Sequence, residues 1–227
     1  MKIKIIGTSH IAKQSVEEIK KAVAEFKPEI IAVELDLERA AALMDEKKRK
    51  IPWRELRHIG VKGYAFAKIG QYVQQKLGKS VGVAPGSEMK AALELARKLS
   101  LKVELIDQPI RITLRKFSQS FTWKERGRFC GDLILGLITP QRQMRRWGFT
   151  QFDLRKVPKE EVIIQLMNVM KERYPSVYQT LVEDRNQYMV KKIIELLRTE
   201  KDKRILVIVG AGHKKGMEEL LLKVDVV

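Results

Sequence analysis

Apolar residues in this chain fall into four short, nearly unbroken runs, at residues 3–6, 30–33, 103–106 and 205–209. Runs of this length without polar alternation predict parallel strands covered on both faces. Between them the spacing turns helical. Val16, Ile19, Val23 and Phe26 form one stripe, Ser15 and Glu18 fit a capping box, and Pro28 ends the segment. Residues 37–50 and 60–76 read as helices, and 81–86 as a loop or short strand. Ser87 can cap a helix over about 88–99 with Met89, Leu93, Ala96 and Leu99 inward. From 111 to 199 no strand pattern recurs, and helices are predicted over 110–118, 123–138, 140–147, 159–172 and 176–199. A last helix follows the strand at 205–209. The pattern predicts one α/β domain with a mainly parallel sheet and helices on its faces. Residues 1–109 and 203–227 form its core, and 110–202 form a helical insertion.

Composition refines this picture only in part. The 227 residues carry 44% hydrophobic and 32% charged side chains, enough for a packed core. The net charge of +17 favours anionic partners, although basic residues interleave with Glu along most helices. The exception is a basic stretch, Arg111 to Arg146, interleaved with Phe117, Phe121, Trp123 and Trp147. Solvated charges over core or dimer-interface aromatics explain it most simply. An anionic membrane surface comes second, and nucleic acid is disfavoured. The single cysteine, Cys130, excludes an intrachain disulfide and reads as core beside Phe129 and Ile134. Residues 133–138 read as a core patch too short to span a bilayer, and the N-terminus does not read as a signal peptide.

Candidate chemistry lies at the strand ends. Two of the three histidines occupy matching Gly-x-x-His segments, Gly7 to His10 and Gly210 to His213. In a parallel sheet all C-terminal strand ends share one edge, where ligands bind. That edge would collect His10, Glu34, Asp107 and His213. Two imidazoles and a carboxylate form a common first shell for Zn, Mn, Co or Fe(II), with a position open to water. Gly7, Gly210 and Gly212 would permit close backbone approach to a ligand. A Ser9–His213–Asp107 triad ranks lower, because Ser9 lacks a nucleophile elbow and His10 would be left without a role.

Several segments occur in a telling order: Gly7-Thr8-Ser9-His10, Val33-Glu34-Leu35-Asp36 with Arg39, Pro85-Gly86-Ser87-Glu88, Ile106-Asp107-Gln108-Pro109-Ile110 with Thr113-Leu114, Glu183-Asp184-Arg185 with Met189, and Gly210-Ala211-Gly212-His213. Together they resemble the TraB/PrgY family, related to the Tiki metalloproteases and GumN-like proteins, over nearly the whole chain. The resemblance implies a metal-dependent hydrolase acting on peptides, or a non-catalytic module that binds or sequesters a pheromone-like peptide. A membrane-surface scaffold is a third expectation. It also implies a divalent metal (Mn, Co or Zn) held by His10, Glu34 and His213. Family members usually carry Arg where this chain has Gln108. Many have C-terminal transmembrane helices, so the expected location is cytoplasmic, or membrane-associated through regions absent from this sequence.

Other residues complete the candidate set. Glu88, at a helix start, reads as general base or further ligand, against a simple first-turn carboxylate. Arg185 sits in an amphipathic helix where Glu183 and Asp184 cannot face it, so it reads as binding charge on a substrate carbonyl. Asp107 reads as a partner orienting a metal-bound histidine, or as a turn residue. Asp36 and Arg39 read as a local helix-start pair, and His58 as surface.

Overall fold

The computed structural model describes residues 2–8, 13–44, 61, 64, 68, 86–139, 142, 145–148 and 160–224. Four strands form one sheet: β1 (Ile3–Thr8), β2 (Ile30–Val33), β3 (Lys102–Leu105) and β4 (Ile205–Gly210). Their order is β1-β4-β2-β3 and every pairing is parallel. The last strand therefore lies between the first two, with Thr8 opposite Gly210 and Val33 opposite Ile208. This insertion brings the N- and C-terminal segments of the chain to one sheet edge.

The unbroken apolar runs are explained by the two covered faces. Alternate residues of β4 point to opposite layers: Ile205, Val207 and Val209 to one, Leu206 and Ile208 to the other. Each such side chain, once fully buried, contributes about 1.5–3 kcal/mol. Helices α1 (Lys13–Phe26), α2 (Leu37–Met44) and α3 (Ser87–Lys98) supply one layer, through Ile19, Val23, Ala40, Met89 and Ala96. After β3 come α4 (Ile110–Ser120), α5 (Trp123–Ile138), α6 (Glu160–Arg173) and α7 (Pro175–Tyr178). A π-helical turn, Gln179–Glu183, leads into α8 (Asp184–Thr199), and α9 (Ala211–Leu222) follows β4. Helices α8 and α9 cover the other face through Met189, Ile193, Met217 and Leu221. Among the described residues between 110 and 202 there is no strand.

Several local expectations shift. The first helix begins at Lys13, so Ser15 lies inside it rather than capping it. Ser87 is the first residue of α3, and Gly86 precedes it with φ 80, a left-handed conformation suited to glycine. Leu99 ends outside α3 and is exposed. Helix α5 has the predicted bounds, but Thr122 caps it through a reciprocal box with Glu125. Cys130 is exposed rather than core, because Phe129 and buried Asp132 take the inward phase of α5. Ile134, Leu135 and Ile138, expected as part of a core patch, are exposed too. The predicted helix at 60–76 and His58 lie almost wholly or wholly outside the described residues. No described helix is long and apolar enough to cross a membrane.

Candidate functional site

The C-terminal edge of the sheet carries a buried polar cluster centred on Arg185. Glu34 follows β2 and is 2% exposed; Asp107 follows β3; His213 lies in the first turn of α9, immediately after β4. Arg185 reaches them from the first turn of α8. Its Nε and Nη2 donate to Asp107 at 2.9 and 2.8 Å. Nη2 also donates to Glu34 Oε1. Nη1 donates to the Leu181 carbonyl, in the π-helical turn, at 3.2 Å and to His213 Nε2 at 3.0 Å. All five N–H groups of the guanidinium are thus engaged. Burial alone would disfavour its charge, but Glu34 and Asp107 outweigh this and hold its pKa above the ordinary guanidinium value.

This network sets the histidine tautomer. A guanidinium only donates, so Nε2 of His213 accepts and carries no proton in that bond. The ring proton is then on Nδ1, which donates to Asn186 Oδ1 at 2.7 Å. Asn186 is buried, 1% exposed, one residue after Arg185. Glu34 is fixed at its other oxygen, where the Gly210 N–H donates to Oε2 at 2.5 Å. The remaining atoms, Glu34 Oε1 and His213 Nε2, lie 3.5 Å apart.

Of the sequence candidates, Glu34, Asp107, Arg185 and His213 come together. His10 and Ser9 lie outside the described residues. Glu88 is buried at the start of α3 and is not among the partners of Arg185. Asn186, not Asp107, meets Nδ1 of His213. Asp107 instead accepts from two arginines, Arg185 and Arg39, the latter at 2.7 Å. That also removes the Ser9–His213–Asp107 triad, which needs a carboxylate on His213. Arg39 is no local partner of Asp36 through its side chain. Asp36 accepts the Arg39 backbone N–H at 2.7 Å and the Ile110 N–H at 2.8 Å, serving the N-termini of α2 and α4 together. Gln108 is turned to Thr113 Oγ1 at 2.8 Å.

The glycines have packing reasons. A Cβ on Gly7 would come within 3.0 Å of Ala211 Cα, and one on Gly212 within 3.2 Å of Met167 Sδ. Asn186 and the Leu181 carbonyl were not among the sequence candidates. The available signal was an asparagine in a helix next to the candidate arginine, a position where Asn is not favoured by propensity.

The donor set fits a divalent ion in two respects. The 3.5 Å separation suits two ligands of one ion bound at about 2.0–2.2 Å. A neutral imidazole held at Nδ1, with its Nε2 lone pair turned inward, is the usual form of a ligating histidine. Arg185 takes the same two lone pairs, so an ion requires those two hydrogen bonds to be released. Among the described residues no group of three or more His, Cys, Asp or Glu side chains is placed to hold an ion.

Comparison with known proteins places the chain. A profile of the TraB/PrgY/gumN family matches residues 2–224. An uncharacterized protein of Methanocaldococcus jannaschii is 34% identical over 98% of this chain and 54% of its own length. TraB domain-containing proteins of Bos taurus and Homo sapiens are each 24% identical, over 96% of this chain and 62% of theirs. The chain thus spans little more than half the length of these curated relatives. With a match from near its first residue to near its last, this chain belongs to the TraB/PrgY/gumN family.

Proposed function

We propose that the chain is a metal-assisted hydrolase acting on peptides, with its chemistry at the Arg185 cluster. The observation that carries the reading is the pair Glu34 Oε1 and His213 Nε2, buried and 3.5 Å apart at the ligand-binding edge of a parallel sheet. Glu34 and His213 would hold the ion, with His10 as the third donor named from the sequence. A bound divalent cation supplies a Lewis acid and lowers the pKa of a coordinated water.

The chain's own groups do the rest. Asn186 keeps the Nδ1 proton in place and the Nε2 lone pair inward. Gly210 N–H holds Glu34 by one oxygen and leaves the other facing the cluster. Arg185 keeps both donor atoms in register, while Asp107 and Leu181 anchor the guanidinium from behind. Because its five N–H groups are engaged, Arg185 can stabilise a substrate oxyanion only after giving up Glu34 or His213. The expected oxyanion role therefore belongs to a rearranged state.

The same saturation favours a second reading: a peptide-binding module complete without an ion. Metal content of protein purified without chelators separates the two. The first reading expects about one ion per chain, with metal and hydrolysis of a peptide mixture both lost in Glu34→Gln and His213→Ala. Metal-free protein whose peptide binding survives both substitutions supports the module and sinks the hydrolase.

A further inference from the structure

Helix α5 turns a face to solvent that no part of the catalytic proposal uses. At 3.6 residues per turn, Cys130, Trp123, Ile134, Gly127, Ile138, Gly131, Lys124, Leu135 and Arg128 fall within an arc of about 160°. Trp123 is 82% exposed, Ile138 72%, Ile134 55% and Leu135 41%. A Cβ built on Gly127 or Gly131 meets nothing within 4 Å. A helix of a globular protein normally turns its apolar stripe inward. This one is reversed.

Polar anchors hold it that way. The only acids within Trp123–Ile138 are Glu125 and Asp132, and both point inward. Glu125 accepts from Ser176 N and Oγ at 2.8 and 2.5 Å and from Thr122. Asp132 accepts from Nε and Nη2 of Arg173 and from the Tyr174 hydroxyl. The outward face is left with apolar side chains beside Lys124 and Arg128. Arg126 lies at its other margin, its guanidinium 4.2 Å from the centre of the Trp123 ring.

We propose that this face of α5 seats on an anionic lipid bilayer, the helix lying in the headgroup plane. Charge complementarity selects the occupant. A second copy of the chain would present the same cationic face, with no acid on it to pair Lys124 and Arg128. Single-stranded nucleic acid would use stacking rings, and Trp123 is the one aromatic residue on the arc, beside three aliphatic side chains. An anionic surface takes the cations at its phosphates and the apolar residues just below them, with tryptophan at the boundary. The net charge of +17 adds long-range attraction of the same sign.

The chain's single cysteine supplies the test, because exposed Cys130 sits at the edge of this arc. Labelled there with an environment-sensitive fluorophore, the intact protein should shift to the blue with mixed phosphatidylcholine–phosphatidylglycerol vesicles and not with phosphatidylcholine alone. Ile134→Glu with Ile138→Glu should abolish the shift while circular dichroism and thermal midpoint stay unchanged. Lys124→Gln and Arg128→Gln should each weaken binding about fivefold. A shift that persists in the Ile134→Glu, Ile138→Glu protein overturns the proposal. So does an absent shift on anionic vesicles, a response to a single-stranded oligonucleotide in place of vesicles, or a stripe that proves to close a dimer in solution.

Discussion

Arg185 and Arg173 both grip buried carboxylates, and yet their surroundings differ in kind. Arg173 forms a bidentate pair with Asp132, joined by Tyr174, at the junction of α6 with α5. Its side chain is 26% exposed, and no imidazole is part of the group. Arg185 is 14% exposed and joins residues from two strand ends, a π-helical turn and the first turn of α9. The first group ties two helices together. The second collects opposed charges and an imidazole lone pair where the strands of a parallel sheet end. Convergence of several elements on one polar group, rather than the ion pair itself, distinguishes a candidate site from a staple.

The comparison predicts unequal costs. Arg185→Met leaves Glu34 and Asp107 buried with their main partner gone, and should cost about 3–5 kcal/mol in urea unfolding. Arg173→Met leaves Asp132 the Tyr174 hydroxyl and partial solvent, and should cost less than half as much. Equal losses would mean that both groups are staples. Asn186→Ala comes next, since it strands the Nδ1 proton of His213 in a buried site. It should cost about 1–3 kcal/mol and change the imidazole nitrogen shifts of His213; unchanged shifts would remove Asn186 from the orienting role.

Two smaller effects, both at the buried acids of α5, appear with pH. Burial raises the pKa of Glu125, but its bonds from Ser176 and Thr122 outweigh this and hold it below the ordinary 4.5. Its contribution is present above pH 4.5 and is lost as pH falls through the lowered value. Glu125→Gln should therefore flatten the acid limb of the stability curve. Burial, then Asp132, pushes the Tyr174 hydroxyl up to about 12 from 10.0. The folded state holds that proton more tightly, so the contribution is full below pH 10.0 and lost as pH rises through about 12. Tyr174→Phe should remove this alkaline loss, and an unaltered alkaline limb would detach Tyr174 from the staple.

How far the site could be read in advance depended on its kind of residue. Glu34, Asp107 and His213 each follow a strand, and strand ends are marked by apolar runs that stop. Arg185 was visible because its charged neighbours cannot face it along a helix. Its partners were not visible, because Asp107 and Glu34 lie 78 and 151 residues away. Asn186 was not legible because its role is one hydrogen bond across 27 residues. The exposure of Cys130, Ile134, Leu135 and Ile138 was not legible for a related reason. Apolar periodicity locates a stripe but does not say which way it faces, and here inward-pointing Glu125 and Asp132 turn it outward.

By itself the sequence determined the α/β class, the four strands, the bounds of α5 and the family. These follow from local periodicity, breaker residues and ordered motifs, all of which are properties of neighbouring positions. Only the tertiary structure decided that β4 enters between β1 and β2, which nitrogen of His213 carries the proton, and that Arg185 bridges Glu34 and His213. Those outcomes depend on contacts between distant segments, where burial makes every unmade hydrogen bond costly and so selects one arrangement.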